Sequence, residues 1–275
     1  MTTKQSVGYH SIVAALTPGS ITQPATVRAA NVAAKLHSEV TLAHVMTNQQ
    51  DAATEKQTAE VIARLSRDFS EIVGIKSTQG DWLEIIRLAD EVSGDLIVLD
   101  QPVYRAIHPL LTIKNQDVCD HGECDALVVN VSDATIDNAP KDYQHIVVAA
   151  DLNDQGLMTI YKAVRMAKRY QARLTLLNII EMTGPENKEV EENSKKMRLR
   201  GLEAFTAIIE GIKVEKAVVV TKEPIDQAIC QFTREQGADL TVIGSHKYKG
   251  LCVILGKKAE NVTHNSHSDV LIVHE

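Results

Sequence analysis

Four short apolar segments occur in the first half of this chain and again, in the same order, in the second. His10–Leu16 (HSIVAAL) stands against Gln144–Asp151 (QHIVVAAD), and Val40–Val45 (VTLAHV) against Leu174–Ile179 (LTLLNI). Nearer the end of each half, Asp95-Leu-Ile-Val-Leu matches Asp239-Leu-Thr-Val-Ile, and Asp125-Ala-Leu-Val-Val matches Asp269-Val-Leu-Ile-Val. In both halves the two aspartates lie thirty residues apart. A single match of this kind arises by chance, but four in one order do not. The chain is a duplication, and that restricts it to two copies of one fold.

The repeated segments are continuous apolar runs without polar alternation, the pattern of strands buried on both faces. Between them lie segments of helical period. Ala25 to Leu36 and Leu157 to Tyr170 follow the first strand of each half, and Ala53 to Ile72 and Glu189 to Ile209 follow the second. Trp82 to Val92 and Pro224 to Gln236 precede the fourth, with Pro224 suited to a first helical position. Strict β-α alternation predicts a five-stranded parallel sheet with helices on both faces and right-handed crossovers. The fold class is therefore α/β: two tandem doubly wound five-stranded parallel-sheet domains, each a three-layer α/β/α sandwich, related by a pseudo-two-fold axis. Ser132–Asp142, polar and containing Pro140, reads as a linker, giving domains at 1–134 and 141–275.

With 275 residues, each half has the size of an ordinary domain. Aromatic residues are only 4% of the chain, so Val, Ile, Leu and Ala must build both cores. The net charge of −7 opposes binding to nucleic acid, which requires a basic face; a local basic patch is compatible with it. The opening residues lack the basic-then-apolar pattern of a signal peptide, and no apolar run approaches membrane-spanning length. Cys119, Cys124, Cys230 and Cys252 have no disulfide-scaffold spacing. These features lead us to expect a cytoplasmic protein that binds neither membrane nor nucleic acid.

These residues resemble the universal stress protein family, once per half and over nearly the whole chain. The most specific stretch runs from Ala238-Asp-Leu-Thr-Val-Ile-Gly-Ser-His246 through Gly250–Gly256 to Ala259–Val262 and Ser268–Val273. ATP-binding members carry, after the fourth strand, Gly, two residues, Gly, nine residues, then Gly-Ser or Gly-Thr. Such glycines let backbone amides approach phosphates, and the next helix adds its positive N-terminus. The resemblance implies an adenine nucleotide, ATP or AMP, with Mg possible beside ATP. The implied site comprises Ala149, Asp151, Ile179, Ile243, Gly244, Lys247, Gly256 and Lys257. In that set Asp151 is the acidic residue after the first strand, Ile179 the branched residue against the base, and Gly244 and Gly256 the first and last glycines.

The second half departs from the motif. Lys247 takes the second glycine position, Lys257 replaces Ser or Thr, and only eight residues separate Lys247 from Gly256. Lys247, Lys249, Lys257 and Lys258 nevertheless crowd positive charge where phosphates would sit. In the first half Asp100 stands at the first glycine, followed by Gln101-Pro102, Thr112-Ile113 replaces Gly-Ser, and Leu16 stands opposite the acidic Asp151. A carboxylate at the phosphate position repels the ligand, so we expect no ATP in this half.

No catalytic set is evident. Ser245-His246 lacks a third orienting residue, which leaves a weak ATPase as the most that could be expected. Cys119, His121 and Cys124 do not have zinc-finger spacing, and we expect no metal site. His264 and His267 read as a solvated helix end, and His44 as a side chain packed near a vestigial crevice. Two functions stay open: a stress-response regulator with nucleotide binding confined to the C-terminal half, or a nucleotide-free scaffold acting through protein partners. In this family the last strands of two units pair in a dimer. The resemblance thus implies that Leu127–Val131 and Leu271–His274 make an internal pseudo-dimer, with a homo-dimer possible.

Overall fold

The computed structural model describes residues 8–46, 52–113, 124–130, 135–138, 140–152, 156–182, 188–207, 209–245 and 257–274. They form two compact units, one running to Asp142 and the other starting at Tyr143. The first contains β1 (Ser11–Ala15), α1 (Pro24–Leu36), β2 (Glu39–Met46), α2 (Ala52–Asp68), β3 (Ile72–Gln79), α3 (Glu84–Glu91), β4 (Leu96–Asp100), α4 (Gln101–Ile113) and β5 (Asp125–Val129). The second contains β6 (His145–Ala149), α5 (Gly156–Tyr170), β7 (Arg173–Glu181), α6 (Lys188–Thr206), β8 (Val214–Thr221), α7 (Ile225–Glu235), β9 (Leu240–Ser245), α8 (Lys257–Asn265) and β10 (Asp269–His274). Within the first unit the strand order is β3-β2-β1-β4-β5, and within the second β8-β7-β6-β9-β10. All of these pairs are parallel. This is the α/β architecture expected from the alternation. The order reverses between β1 and β4, and between β6 and β9, which opens a crevice beyond the strand ends in each unit.

The central strands are almost entirely enclosed; β4 and β5 are buried at every residue. The helices differ more. α1 starts at Pro24 and buries Ala25, Ala29, Ala30 and Ala33, small side chains that bring its backbone close to the sheet. α2 buries only Thr58, Val61 and Leu65, and α6 only Leu202.

The duplication extends to the turns. α1 and α5 are followed by left-handed residues, His37 (φ 59°) and Gln171 (φ 54°). The next amide, Ser38 or Ala172, returns to the carbonyl of Ala33 or Ala167 at 3.0 and 2.9 Å. Ser93 (φ 51°) and Gly237 (φ 61°) end α3 and α7 in the same way. Such caps satisfy the last helical carbonyls while turning the chain into the next strand. The paired aspartates also have a structural role. Asp95 accepts the amides of His10 and Ser11 at 2.7 and 3.1 Å, and Asp239 those of Gln144 and His145 at 2.8 Å each. Asp125 accepts the Tyr9 hydroxyl, and Asp269 the Tyr143 hydroxyl at 2.8 Å. Each pair fastens the start of the first strand of its unit to the starts of the fourth and fifth.

Two local expectations are corrected. α2 stops at Asp68, and Ile72 opens β3, because the strand must pair with Val40 of β2. Pro224 is the residue before α7, extended at ψ 142°, so Ile225 is the first helical position. The end of the linker is held against the first unit. The Lys141 carbonyl accepts Arg28 Nη1 at 2.8 Å, Asp142 pairs with Lys35 and accepts Asn31 Nδ2 at 3.2 Å, and Asp137 pairs with Arg64.

Candidate functional site

The second unit carries a cavity of about 130 Å³ at the carboxyl ends of β6, β7 and β9. Strand β6 delivers Ala149, Ala150 and Asp151, and β7 delivers Leu177 and Ile179, which project to one face because strand side chains alternate. Ile243 and Gly244 come from β9. Ile225 and Ile229, one helical turn apart on α7, close one wall, and Lys258, Ala259 and Val262 of α8 close another. The floor is therefore aliphatic, with one carboxylate and one ammonium at the rim. Such a space accepts a flat apolar group and offers charge at its edge.

Of the residues expected at a nucleotide site, Ala149, Asp151, Ile179, Ile243 and Gly244 converge here. Lys257 opens α8 and is exposed, while the cavity lining uses its neighbour Lys258. Lys247 and Gly256 lie outside the described residues, as do Lys249, Gly250 and His246. Leu177, Ile225, Ile229, Ala259 and Val262 were not anticipated. Leu177 belongs to the apolar run of β7; the sequence signal for the other four is the apolar face of α7 and α8, which does not reveal what that face covers. Gly156 has a specific duty at this corner. A Cβ there would stand 2.2 Å from the Asp151 carbonyl oxygen, so only glycine lets the start of α5 fold back against the loop that carries Asp151.

The equivalent corner of the first unit is built differently. Strand pairing sets Ala15 opposite Ala43 and Ala149 opposite Leu177, and the Leu16 and Ala150 amides donate to those same partners. Leu16 is thus the counterpart of Ala150, and the counterpart of Asp151 is Thr17. This corrects the sequence alignment by one residue. Asp100 does occupy the Gly244 position, as Leu96–Asp100 and Leu240–Gly244 show by their pairing with β5 and β10. Helix α4 begins directly after it, at Gln101, in the stretch equivalent to the family's loop. The Asp100 carboxylate caps this helix, accepting the Val103 amide at 3.1 Å, and also accepts the Thr17 hydroxyl. Gln23, buried at φ 47°, fills the loop between β1 and α1: its amide donates to the Thr17 and Ser20 carbonyls at 2.8 Å and accepts the Thr17 amide at 3.0 Å. Here the chain's own groups satisfy the polar atoms that a ligand would meet.

The other candidates fall apart spatially. His264 stands 3.9 Å from Glu260 on α8, whereas His267 lies beyond the helix end. Cys124 is buried at the start of β5, and Cys119 and His121 lie outside the described residues. His44 is buried on β2, and its Nε2 has no partner among the described residues. Burial pulls its pKa below the usual histidine value, against the opposing pull of Glu55. Among the described residues no three His, Cys, Asp or Glu side chains converge as a metal site, and no helix is long and apolar enough to cross a membrane.

Comparison with known proteins agrees with this geometry. The sequence model described as "Universal stress protein family" matches residues 142–274. Universal stress protein YxiE of Bacillus subtilis is 30% identical over 148 residues, covering 48% of this chain and 99% of the relative. The chain belongs to the universal stress protein family. A universal stress protein from Archaeoglobus fulgidus superposes with a TM-score of 0.63 at 15% identity, covering 98% of each chain, so the fold extends over both units. A universal stress protein solved in complex with cAMP matches 49% of this chain at 23% identity, with a TM-score of 0.39. The family model falls on the unit that retains Gly244 and Asp151. The first unit keeps the fold of a universal stress protein while its corner has been rebuilt around Asp100.

Proposed function

We propose that the second unit binds an adenine nucleotide, ATP or AMP, and that the protein is a cytoplasmic stress-response regulator whose first unit is silent toward nucleotides. The observation that carries this reading is the contrast between two equivalent corners. Gly244 itself brings no side chain, and an aliphatic cavity lies beneath; the Asp100 carboxylate already accepts the Val103 amide of α4. In the second unit the base would rest between Ile179 and the Ile225–Ile229 face, with Asp151 at its polar edge. The phosphates would face Gly244 and the amino end of α8, where Lys257 and Lys258 add charge. The helix terminus supplies about 0.3–1 kcal/mol toward an anion, so the lysines must contribute most of the remaining electrostatic attraction.

A nucleotide-free scaffold is the second reading, and the cavity volume favours it. About 130 Å³ falls short of the roughly 300–1,000 Å³ usual for ligand sites, enough for a base but not for a whole nucleotide. The two readings separate in one experiment. Small molecules that co-purify are released and identified, and ATP and AMP are titrated calorimetrically into the wild type and a Gly244→Asp variant. The nucleotide reading expects one site per chain, lost in the variant, which copies the carboxylate of the silent corner. Absence of binding up to millimolar ligand overturns it and leaves the scaffold.

A further inference from the structure

Helix α6 spans nineteen residues and buries one of them, Leu202. Its carboxyl-terminal part is anchored: Glu203 meets Lys216 at 3.3 Å, and Gly201 packs so closely on Leu152 that a Cβ would stand 2.8 Å from that side chain. From Lys188 to Arg198 every residue is exposed except Ser194, which is half-buried. The duplication supplies an internal control in α2, which buries three residues and holds Arg64 and Arg67 in ion pairs with Asp68 and Asp137. In α6, Lys195-Lys196-Met197-Arg198-Leu199-Arg200 carries four cations in six residues, and no ion pair engages any of them among the described residues. Glu191 and Glu192 stand one turn away and leave them unpaired. Met197 is the most exposed large hydrophobic side chain of the described residues at 67%, and Val190, two turns earlier on the same face, is 48% exposed. Helical geometry sets Lys196 and Arg200 along one side of this apolar pair and Arg198 along the other.

We propose that this cationic stretch of α6 is a docking surface for an acidic protein segment that carries apolar side chains. Charge complementarity selects the partner: Lys196 and Arg200 on one side of Met197 and Arg198 on the other match a few carboxylates, Met197 offers purchase between them, and Lys195 lies on the far side of the helix. Duplex nucleic acid fits poorly, because it demands a broad basic face and the chain carries −7 overall. A membrane surface fits poorly as well, because an interfacial helix buries a wide apolar face and two side chains do not make one. None of the described residues lining the nucleotide crevice belongs to this helix.

The test uses the full chain and a fluorescein-labelled peptide of alternating glutamate and leucine, followed by anisotropy at low and physiological salt. A variant combining Lys195→Gln, Lys196→Gln, Arg198→Gln and Arg200→Gln removes the charge while keeping good helix formers, and circular dichroism verifies its fold. A second variant, Lys162→Gln with Lys168→Gln and Arg169→Gln on α5, removes cations elsewhere. Saturable binding that weakens with salt, falls about tenfold or more in the α6 variant and persists in the α5 variant is the expected result. Absence of binding, equal loss in both variants, or tighter binding to duplex DNA or to phosphatidylserine vesicles overturns the proposal.

Discussion

At the scale of single residues, His145 shows how burial and one charged neighbour set a pH dependence. Its ring is enclosed at the start of β6, and Arg173 Nη2, always a donor, lies 2.8 Å from Nδ1. Nδ1 also lies 3.1 Å from the Gln236 carbonyl oxygen, and Nε2 lies 2.9 Å from the Thr175 hydroxyl, so both ring nitrogens are engaged. Burial first, and then the Arg173 charge, lower the pKa of His145 below its ordinary value near 6.5. A histidine with a depressed folded pKa stabilises the fold above the unfolded value and loses that contribution as pH falls toward the folded value. His267 is lowered in the same direction, by burial and then Arg234, and His44 adds to the trend. Thermal unfolding across mildly acidic to neutral pH should show stability declining below about pH 6.5. In His145→Gln the fold should be weaker at neutral pH, with Thr175 left unpaired, yet its pH dependence should be shallower. An equally steep decline in the variant would assign the effect to other groups.

Among the elements, the loop from β6 to α5 and the helix α6 are joined by two glycines that do different work. The Cβ of an alanine at Gly156 would collide with backbone, the Asp151 carbonyl at 2.2 Å, and backbone cannot turn aside. At Gly201 the obstacle is the Leu152 Cδ1 at 2.8 Å, the far end of a side chain that can rotate. Urea denaturation should therefore find Gly156→Ala costing about 1–3 kcal/mol, in the range of overpacked sites, and Gly201→Ala well below that. Comparable costs at both positions would mean that Leu152 is held as rigidly as the backbone.

In the molecule as a whole, the duplicated tyrosine–aspartate bonds allow a test of equivalence. Tyr9 and Tyr143 are buried, and each gives its hydroxyl to a carboxylate that is itself buried, Asp125 or Asp269. Replacement by phenylalanine leaves an acceptor without its donor, at a cost of about 1–3 kcal/mol. Tyr9→Phe and Tyr143→Phe should cost alike by equilibrium unfolding, and the double variant should equal their sum, since distant sites add. A large difference between the single variants would show that the two copies have diverged in their cores as well as at their crevices.

How much of this was legible in advance varies from residue to residue. The four repeated apolar runs were enough to infer two parallel α/β units, because a strand buried on both faces admits few polar residues and leaves a plain mark in the chain. Asp100 opposite Gly244, and the resulting difference between the two crevices, could also be read in advance, since both are local facts about one strand end. Register was another matter. The run Ala14-Ala15-Leu16 slides by one against Val148-Ala149-Ala150 with no loss of apolar match, and only the pairing with β2 and β7 makes Thr17 the partner of Asp151. The helix α4 in place of a phosphate loop, the linker held by Arg28 and Arg64, and the cavity floor from Ile225 and Ile229 depend on contacts distant in sequence. Burial periodicity is written into each segment by itself. Which segment covers which, and what a carboxylate meets when the chain has folded, is decided by packing between segments, which no single stretch of sequence contains.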